Sequence, residues 1–392
     1  MIKKITADRI YTGTSGPLHH KVITVDQEGT ILQIDELSNH DAYSVQHFSG
    51  AIVPGFINTH CHLELSHMKG RANTGTGLVP FLKTVVNFRD ISMEEILDAI
   101  DQADAEMWNG GVMAVGDISN KADTAARKNQ SKIQYYTFVE FFDFLQEEGA
   151  ENWFNNFKPA YDQQSDSNGN RKSAVPHAPY TVSRNLFQKI NALNAPGNTV
   201  SIHNQETPGE NALFLNKTGS FLDFYEGFGF PLDQFTPSGK PSIYYALENM
   251  DPNCRTLFVH NTESTPEDIR AAQAWSNNIY WATCPNANLY IENRLPNYQY
   301  FLDTGAKMTI GTDSLTSNWQ LSILEEMKTI ARFQSYVPFQ TLLRWATING
   351  AEALGFDDQL GSIEVGKKPG LLLLNLGEEE QLVHDTKVQR IV

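Results

Sequence analysis

Two histidines stand two residues apart in the stretch PGFINTHCHLE, which covers residues 54–64. The residues before them, 50–57, are apolar and flanked by Pro and Gly, a composition that indicates a buried strand. Side chains alternate along a strand, so His60 and His62 face one side and Cys61 faces the other. Two imidazoles on one face at a strand end could bind a divalent metal. The alternative is a pair of structural histidines with ordinary hydrogen-bond partners.

Other polar side chains follow apolar segments further along the chain. His177, His203 and His260 each stand at the end of such a segment, and Asp313 follows the last one. Eight strands that alternate with helices predict an α/β fold, a (β/α)8 TIM barrel, in which the carboxyl ends of the strands meet at one active site. The predicted strands are the segment before His60 and then VMAVGDIS, IQYYTFVEFF, SAVPHAP, TVSIHNQE, TLFVHNTE, IYWATCPNAN and KMTIGTD.

Helical patterns separate these segments. Ser92 and Glu95 form a capping box at the start of one predicted helix, and Pro266 stands at the first position of another, after Thr265. An earlier helix is predicted within residues 77–88. Its apolar side chains share one face and are Leu78, Phe81, Leu82, Val85 and Val86.

The two ends of the chain differ from this middle. They carry short segments in which apolar and polar residues alternate, such as KVITVDQEGTILQID and GSIEVGKKPGLLLLNLG, and this pattern favours antiparallel strands. We therefore predict a small β-sandwich domain built from residues 1–50 and 360–392, beside a barrel formed by residues 51–359.

The composition excludes several classes of partner. The 392 residues include 30 Lys and Arg against 46 Asp and Glu, a net charge of −16, and no basic cluster stands out, so neither nucleic acid nor an anionic membrane is expected as a partner. The three cysteines lie far apart in the sequence, which predicts no disulfide framework and fits a reducing compartment. Since neither a signal-peptide pattern nor a membrane-spanning stretch is evident, we expect a cytoplasmic protein.

The ordered motifs resemble those of the amidohydrolase superfamily, in particular its mononuclear aminohydrolase branch. These motifs are PGFINTHCHLE, HAPYT (177–181), HNQE (203–206), VHNTE (259–263), CPNAN (284–288) and GTDSLTSN (311–318). They occur in family order, and the resemblance covers nearly the whole chain. Locally, HLELSH and GTDSLTSN look most like the aminodeoxyfutalosine deaminases, with S-adenosylhomocysteine deaminases and chlorohydrolase-like proteins as further relatives.

The resemblance implies a metal site and its ligands. One divalent ion, with Zn²⁺ favoured over Fe²⁺, would be bound by His60, His62, His203 and Asp313. Binuclear relatives use a bridging lysine at the end of the fourth strand, but Lys172 precedes the segment SAVPHAP and stands too early for that position. The resemblance therefore favours a single metal.

Catalytic roles are implied at three positions. Glu206 would carry a proton to the ring nitrogen and then to the leaving amine, His260 would orient the attacking water, and Asp313 would accept the proton of that water.

Four residues would face the substrate according to the same resemblance, although loop hydrogen bonding is the alternative for all of them except His177. Two arginines in neighbouring loops, Arg71 and Arg184, could meet a distal part of the substrate or be surface residues. The four implied substrate-binding residues are Glu64, Ser66, His177 and Asn318.

The expected function is that of a metal-dependent deaminase that releases ammonia from an adenine-type nucleoside resembling aminodeoxyfutalosine, or from a related heterocycle. A small heterocyclic amine is the expected partner, and we also consider a homodimer. The alternatives are a cyclic-amide or chlorotriazine-type hydrolase, a guanine or cytosine deaminase, and a non-catalytic barrel scaffold.

Overall fold

The structure is a computed structural model that describes residues 2–392, apart from the side chain of Glu378. Strands and helices alternate through its middle, whereas both ends are rich in strands. The strands are β1 Lys3–Ile10, β2 Lys21–Val25, β3 Ile31–Glu36, β4 Gln46–Pro54, β5 Phe56–Cys61, β6 Val112–Ser119, β7 Gln134–Phe141, β8 Arg171–Pro176, β9 Thr199–Asn204, β10 Arg255–His260, β11 Ile279–Thr283, β12 Met308–Ile310, β13 Leu371–Leu374 and β14 Val388–Arg390. The helices are α1 Leu78–Phe88, α2 Met93–Asn109, α3 Ala125–Gln130, α4 Ala150–Gln163, α5 Arg184–Leu193, α6 Pro208–Asn216, α7 Ser220–Phe228, α8 Ser242–Asn249, α9 Pro266–Trp275, α10 Pro285–Glu292, α11 Tyr298–Asp303, α12 Ile323–Phe333, α13 Phe339–Ala346 and α14 Ile348–Leu354.

The two ends of the chain form one six-stranded sheet in the order β14–β13–β4–β1–β2–β3. This confirms a small β domain, although its strands belong to one hydrogen-bonded sheet where we expected a sandwich. β1 pairs with β4 in parallel, so the expectation of antiparallel strands is wrong for this pair. The β2–β3 hairpin carries the chain back before β4 begins, which makes the parallel pairing possible. The sheet extends to Pro54, beyond the boundary predicted at residue 50.

The chain passes from this sheet into the barrel at Gly55. The single strand predicted over residues 50–57 is therefore two strands, β4 and β5, on either side of the glycine. Gly55 N donates a hydrogen bond to Pro369 O at 3.1 Å, and a Cβ at this position would lie 2.2 Å from Met113 Cγ. This close approach of three segments requires glycine at the crossing.

Eight parallel strands of the described chain form two four-stranded sheets, β5–β6–β7–β8 and β9–β10–β11–β12. Backbone hydrogen bonds close both seams between them: His203 N donates to His177 O at 3.0 Å, and Thr312 N donates to His60 O at 2.9 Å. Each sheet strand matches one of the predicted segments, which confirms the (β/α)8 barrel. Both seams are closed by backbone atoms of predicted site residues, His60 at one seam and His177 and His203 at the other.

Two predicted helix starts are confirmed. The Ser92 hydroxyl accepts a hydrogen bond from Glu95 N at the start of α2, and Thr265 caps α9. Helix α1 also forms as predicted, but its apolar face is not entirely buried: Leu78 and Phe81 are buried, whereas Val86 is half exposed. Among the helices of residues 2–392, none is both long and apolar enough to cross a membrane.

Candidate active site

Three histidines at the carboxyl ends of β5 and β9 face one another. The Nε2 atoms of His60 and His62 lie 3.2 Å apart, and those of His62 and His203 lie 3.4 Å apart. Strand alternation puts His60 and His62 on the same side, as the sequence predicts, while Cys61 is buried in the core on the other. Three converging nitrogens of this kind fit a divalent metal.

The hydrogen bonds and pKa values of these histidines suit metal ligation. His203 Nδ1 donates to the carbonyl of His177 at 2.7 Å, so the Nε2 atom of His203 carries a lone pair directed at the other two imidazoles. Burial lowers the pKa of His62 to about 3 and that of His203 to about 4. Burial likewise lowers the pKa of His60. All three are therefore neutral at pH 7, which is the form that binds a metal.

Asp313 completes the group. Its Oδ1 atom lies 3.4 Å from His62 Nε2 and 3.7 Å from His60 Nε2. Its other oxygen accepts a hydrogen bond from the Ser317 hydroxyl at 2.6 Å, which fixes the orientation of the carboxylate. Three imidazoles and one oriented carboxylate form a donor set suited to Zn²⁺ or Fe²⁺.

Buried polar contacts hold the segment that carries His60 and His62. The Asn58 amide donates to Thr312 Oγ1 at 2.8 Å across the seam, and Asp117 accepts a hydrogen bond from Leu63 N at 2.8 Å. Asp117 is itself paired with the buried Lys128 at 2.6 Å. These contacts fix the backbone immediately before and after the two histidines.

Glu206 and His260 form a second pair beside the histidine group. Glu206 Oε1 lies 3.7 Å from His260 Nε2, and both residues are buried. The Asn288 amide approaches His260 Nδ1 at 3.3 Å, which makes Nδ1 the acceptor and leaves the proton on Nε2. Burial raises the pKa of Glu206 well above its ordinary value, which favours the protonated form of this carboxyl.

Glu210 holds the backbone that presents Glu206. Its two carboxylate oxygens accept hydrogen bonds from Gln205 N at 3.0 Å and from Glu206 N at 3.1 Å. The motif HNQE is thus followed by a carboxylate that caps its turn. Glu210 is fully buried, and burial raises its pKa to about 7.

Several residues of the site have positive φ angles, a backbone conformation that residues other than glycine rarely adopt. The φ angles are 57° at Asp313, 72° at His260, 59° at Asn261 and 46° at Gln205. Each follows or ends a barrel strand, and each is held by backbone hydrogen bonds such as that from Asp313 N to His60 O at 3.0 Å. Strained non-glycine residues concentrate at functional sites, where the surrounding structure compensates for their cost.

A pocket opens beside these residues and has two unlike walls. Its polar wall contains His62, His177, His203, Glu206 and Asp313. Its apolar wall comes from the segment after β5, from α1, from the loop after β7 and from two later helices, and includes Leu65, Leu78, Phe81, Leu82, Val85, Val86, Phe142, Phe144, Phe224 and Ile291.

The residues expected to face substrate are not all on this surface. His177 lines the pocket, with Nδ1 2.8 Å from Thr181 Oγ1. Asn318 is buried in its own loop, where its amide donates to Thr312 O at 2.8 Å and to Glu326 Oε1 at 2.7 Å. These contacts use the polar atoms of Asn318 in holding the loop after β12, and Asn318 is not among the residues that line the pocket, so its substrate contact stays a prediction.

Glu64 and Ser66 are also buried and are not among the residues that line the pocket. The residues after His62 form a 3-10 helix over 63–68 that turns both side chains inward. Glu64 accepts hydrogen bonds from Arg89 at 2.9 Å and from Asn120 N at 2.9 Å, and the Ser66 hydroxyl donates to Leu63 O at 2.7 Å. Both residues organise the first loop of the barrel instead of contacting the pocket directly.

The basic residue at the pocket is Arg89, which the sequence analysis did not single out. Arg71 is exposed, and Arg184 lies beside a different surface depression on α5, where it approaches Glu248 at 3.9 Å. Arg89 follows α1 directly and lines the pocket. A basic residue that ends a helix between the first and second strands is a signal that could have marked it.

Glu140 is a second residue that the sequence analysis missed. It lies near the end of β7, is 1% exposed, and lines the pocket; burial raises its pKa to about 8. Its Oε2 atom accepts a hydrogen bond from the Asn120 amide at 3.0 Å, while its Oε1 atom has no hydrogen-bond partner among the described residues. An acidic residue within the apolar segment YTFVEFF was the available signal.

The chain matches the sequence pattern of the amidohydrolase family over residues 51–391. It belongs to the amidohydrolase family. This agrees with the ordered motifs, with the barrel and with the histidine group at its carboxyl face, and it makes the protein a hydrolase of the class that acts on carbon–nitrogen bonds.

The individual relatives cover most of this chain but share only about a quarter of its residues. The aminodeoxyfutalosine deaminase of Nitratiruptor sp. is 27% identical over 94% of this chain and 90% of its own. The structure of Helicobacter pylori aminofutalosine deaminase in complex with methylthio-coformycin covers 100% of both chains at a TM-score of 0.81 and 23% identity, a likeness of fold alone. An adenosine deaminase from Xanthomonas campestris, solved with bound zinc, is 25% identical over 97% of this chain and 86% of its own at a TM-score of 0.74.

Proposed function

We propose that this amidohydrolase is a deaminase that hydrolyses the 6-amino group of an adenine-type nucleoside and releases ammonia. The observation that carries the proposal is a buried Glu206, whose pKa is raised by that burial, beside a group of potential metal ligands in one pocket. A ring nitrogen next to the attacked carbon needs a proton, and a neutral carboxylic acid can supply it. Relatives named as adenosine and aminodeoxyfutalosine deaminases support the same reaction.

The proposed cofactor is one divalent ion, with Zn²⁺ the favoured metal and Fe²⁺ the alternative. His60, His62, His203 and Asp313 would hold it, and it would supply a water ligand whose pKa is lowered to about 7. A relative that contains zinc supports this choice.

A single metal is favoured by the hydrogen bond of one histidine. Glu140, His177 and His203 form another group of potential ligands that shares His203 with the first. Because His203 Nδ1 already donates to His177 O, its Nε2 atom alone remains for a metal. One neutral imidazole of this kind serves one ion, so the two groups compete for it.

The side chains then divide the proton transfers between them. Asp313 accepts a proton from the attacking water, and the Nε2–H of His260 orients the attacking oxygen and stabilises the negative charge on it. Glu206 donates its proton to N1 of the ring, which makes C6 the electrophile. Glu206 then takes the remaining proton of the hydroxyl group added at C6 and passes it to the amine, so that the C6–N bond breaks and a carbonyl and ammonia form. The proton on Asp313 restores Glu206 for the next cycle.

The test is an ammonia-release assay across adenine nucleosides, guanine, cytosine and triazines, with metal analysis of the same sample. We expect turnover of adenine nucleosides by protein that contains one transition metal per chain. Efficient deamination of guanine or cytosine, with every adenine nucleoside left unchanged, would refute the adenine assignment. Two full metal equivalents would refute the single-metal assignment. The homodimer and the cytoplasmic location expected from the sequence stay predictions.

A further inference from the structure

One buried carboxyl group on α12 joins two segments of the active-site face without lining the pocket. Glu326 is fully buried, and its Oε2 atom accepts a hydrogen bond from Asn286 N at 2.9 Å. Its Oε1 atom accepts bonds from the side-chain amides of Asn286 at 2.9 Å and of Asn318 at 2.7 Å. Asn286 belongs to α10, which follows β11, and Asn318 belongs to the loop after β12. A single side chain therefore ties together the segments that follow two neighbouring barrel strands.

On one side, this contact leads to the carboxylate of Asp313. The Asn318 amide uses its second N–H group to donate to Thr312 O at 2.8 Å. Thr312 directly precedes Asp313, and both residues donate from their backbone amides to His60 O. Glu326 thus acts, through one asparagine, on the peptide unit that presents Asp313 to the histidine group.

On the other side, the contact leads to the imidazole of His260. Asn286 is the second residue of α10, where backbone N–H groups have no partner within the helix, and Glu326 supplies that partner. Asn288 lies in the same first turn of α10, and its amide approaches His260 Nδ1 at 3.3 Å. The start of α10 therefore sets the position of the group that orients His260.

The partners of Glu326 require an acceptor at both of its oxygens. Each asparagine is oriented from its other end: Asn286 Oδ1 accepts a bond from the Thr329 hydroxyl at 2.6 Å, and Asn318 Oδ1 accepts one from Trp319 N at 2.7 Å. Both amides therefore present N–H groups to Glu326. Burial raises the pKa of Glu326 to about 8, and a carboxyl group has acceptor oxygens in its neutral and in its ionised form. A glutamine would instead put an NH2 group against at least one N–H donor.

We propose that Glu326 is a positioning residue of the active site, which holds the carboxylate of Asp313 and the imidazole of His260 in the relative placement that both need to act on one water molecule. It contacts neither the pocket nor the reacting atoms, and it acts through Asn318 and Asn286. The inference rests on the proposed function and adds a residue to the machinery of that site. Reacting groups tolerate little displacement, because a shift of about 1 Å can reduce a rate about 100-fold.

The first test compares kcat and KM of Glu326→Gln with those of the parent, for the adenine nucleoside that the parent deaminates fastest. We expect kcat to fall about 10- to 100-fold, while KM changes by less than about threefold because the pocket lining is retained. The matched control is Glu325→Gln on the same helix, at a carboxylate that is 42% exposed and pairs with Lys328. The control should keep the kcat of the parent.

A second measurement does not depend on turnover. The visible absorption spectrum of the protein loaded with Co²⁺ reports the ligands and the geometry around the ion. Glu326→Gln should alter this spectrum, because Asp313 is displaced, and Glu325→Gln should not. Asn318→Ala removes the connection between Glu326 and the Thr312 carbonyl, so it should alter the Co²⁺ spectrum and lower kcat in the same direction.

The outcomes separate a positioning role from a merely structural one. A lower Tm in Glu326→Gln, with the kcat and the Co²⁺ spectrum of the parent, would overturn the inference. If Glu326→Gln does not fold, a parent-like kcat and spectrum in Asn318→Ala would overturn it instead. A parent protein that binds no Co²⁺ and deaminates no adenine nucleoside would refute the proposed function, on which the inference rests.

Discussion

Replacement of Glu206 by glutamine tests the proton transfer with little change of shape. Glu206 is 4% exposed and its Oε1 atom lies 3.7 Å from His260 Nε2. Burial raises its pKa well above the usual range, which favours the protonated form of the parent side chain. Glutamine preserves the volume and can form hydrogen bonds, but it cannot give up a proton.

The size of the expected effect follows from the burial of the group. A positioned acid or base contributes about 10²- to 10⁴-fold to a rate, or about 3–5 kcal/mol of transition-state free energy. Because bulk water has little access to Glu206, we expect the loss in kcat to fall in the upper part of that range. The parent rate should also decline as the pH rises through the raised pKa of Glu206, since the donor is then deprotonated, and the variant should lack this decline.

The assay measures ammonia release together with metal content. Glu206→Gln should keep its metal and its KM, because the side chain does not belong to the histidine group. Glu267→Gln, at an exposed position on α9, is the matched control and should retain parent activity. A kcat for Glu206→Gln within about threefold of the parent would refute the assignment of Glu206 as the proton carrier.

Four further substitutions are expected to have separable effects. Asp313→Asn should abolish turnover and weaken metal retention, which metal analysis after dialysis measures. Ser317→Ala removes the 2.6 Å hydrogen bond to Asp313 and should lower metal affinity about 10- to 100-fold in a chelator titration. The pKa of Glu210 is raised to about 7, so the parent loses folding stability as the pH rises from about 4.5 to about 7. Glu210→Gln should lack that loss. In denaturant titrations, the difference between its free energies of unfolding at about pH 5 and about pH 8 should be smaller than the parent's difference by about 3 kcal/mol. Gly311→Ala would put a Cβ 2.7 Å from His60 Cβ and should lower both Tm and metal content, and a parent-like Tm would contradict this account.

The barrel and the metal-binding group could be predicted because both depend on local patterns. Each barrel strand is a short apolar segment between helical patterns, and His60, His203 and Asp313 stand at or just after the ends of such segments. Their assignment as metal ligands is what the resemblance of the ordered motifs to the amidohydrolase superfamily implies. The break at Gly55 could not be predicted in this way. Both strands beside it are apolar, and what separates them is a contact with Pro369, more than three hundred residues away in sequence.

The positions of Glu64 and Asn318 outside the pocket lining have a similar cause. Whether Glu64 or Asn318 faces the pocket depends on partners that arrive from other loops, Arg89 in the first case and Glu326 in the second. Likewise, periodicity identified the apolar face of α1, but it cannot distinguish a face that packs on the core from one that lines a pocket. These are tertiary properties, and a single sequence without its fold does not specify them.

The GTD motif shows how closely barrel closure and the candidate metal site depend on the same residues. Gly311 allows the backbone to approach His60, and the amides of Thr312 and Asp313 both donate to His60 O, which closes the seam between β12 and β5. Asp313 therefore has two roles: its backbone amide completes this seam, and its side chain faces the histidines. The other seam is closed by His203 N at His177 O. Because the same backbone contacts join the sheets and set the spacing of the ligands, any substitution that loosens a seam would also disturb the metal-binding group, and a bound metal would in turn stabilise the closed barrel.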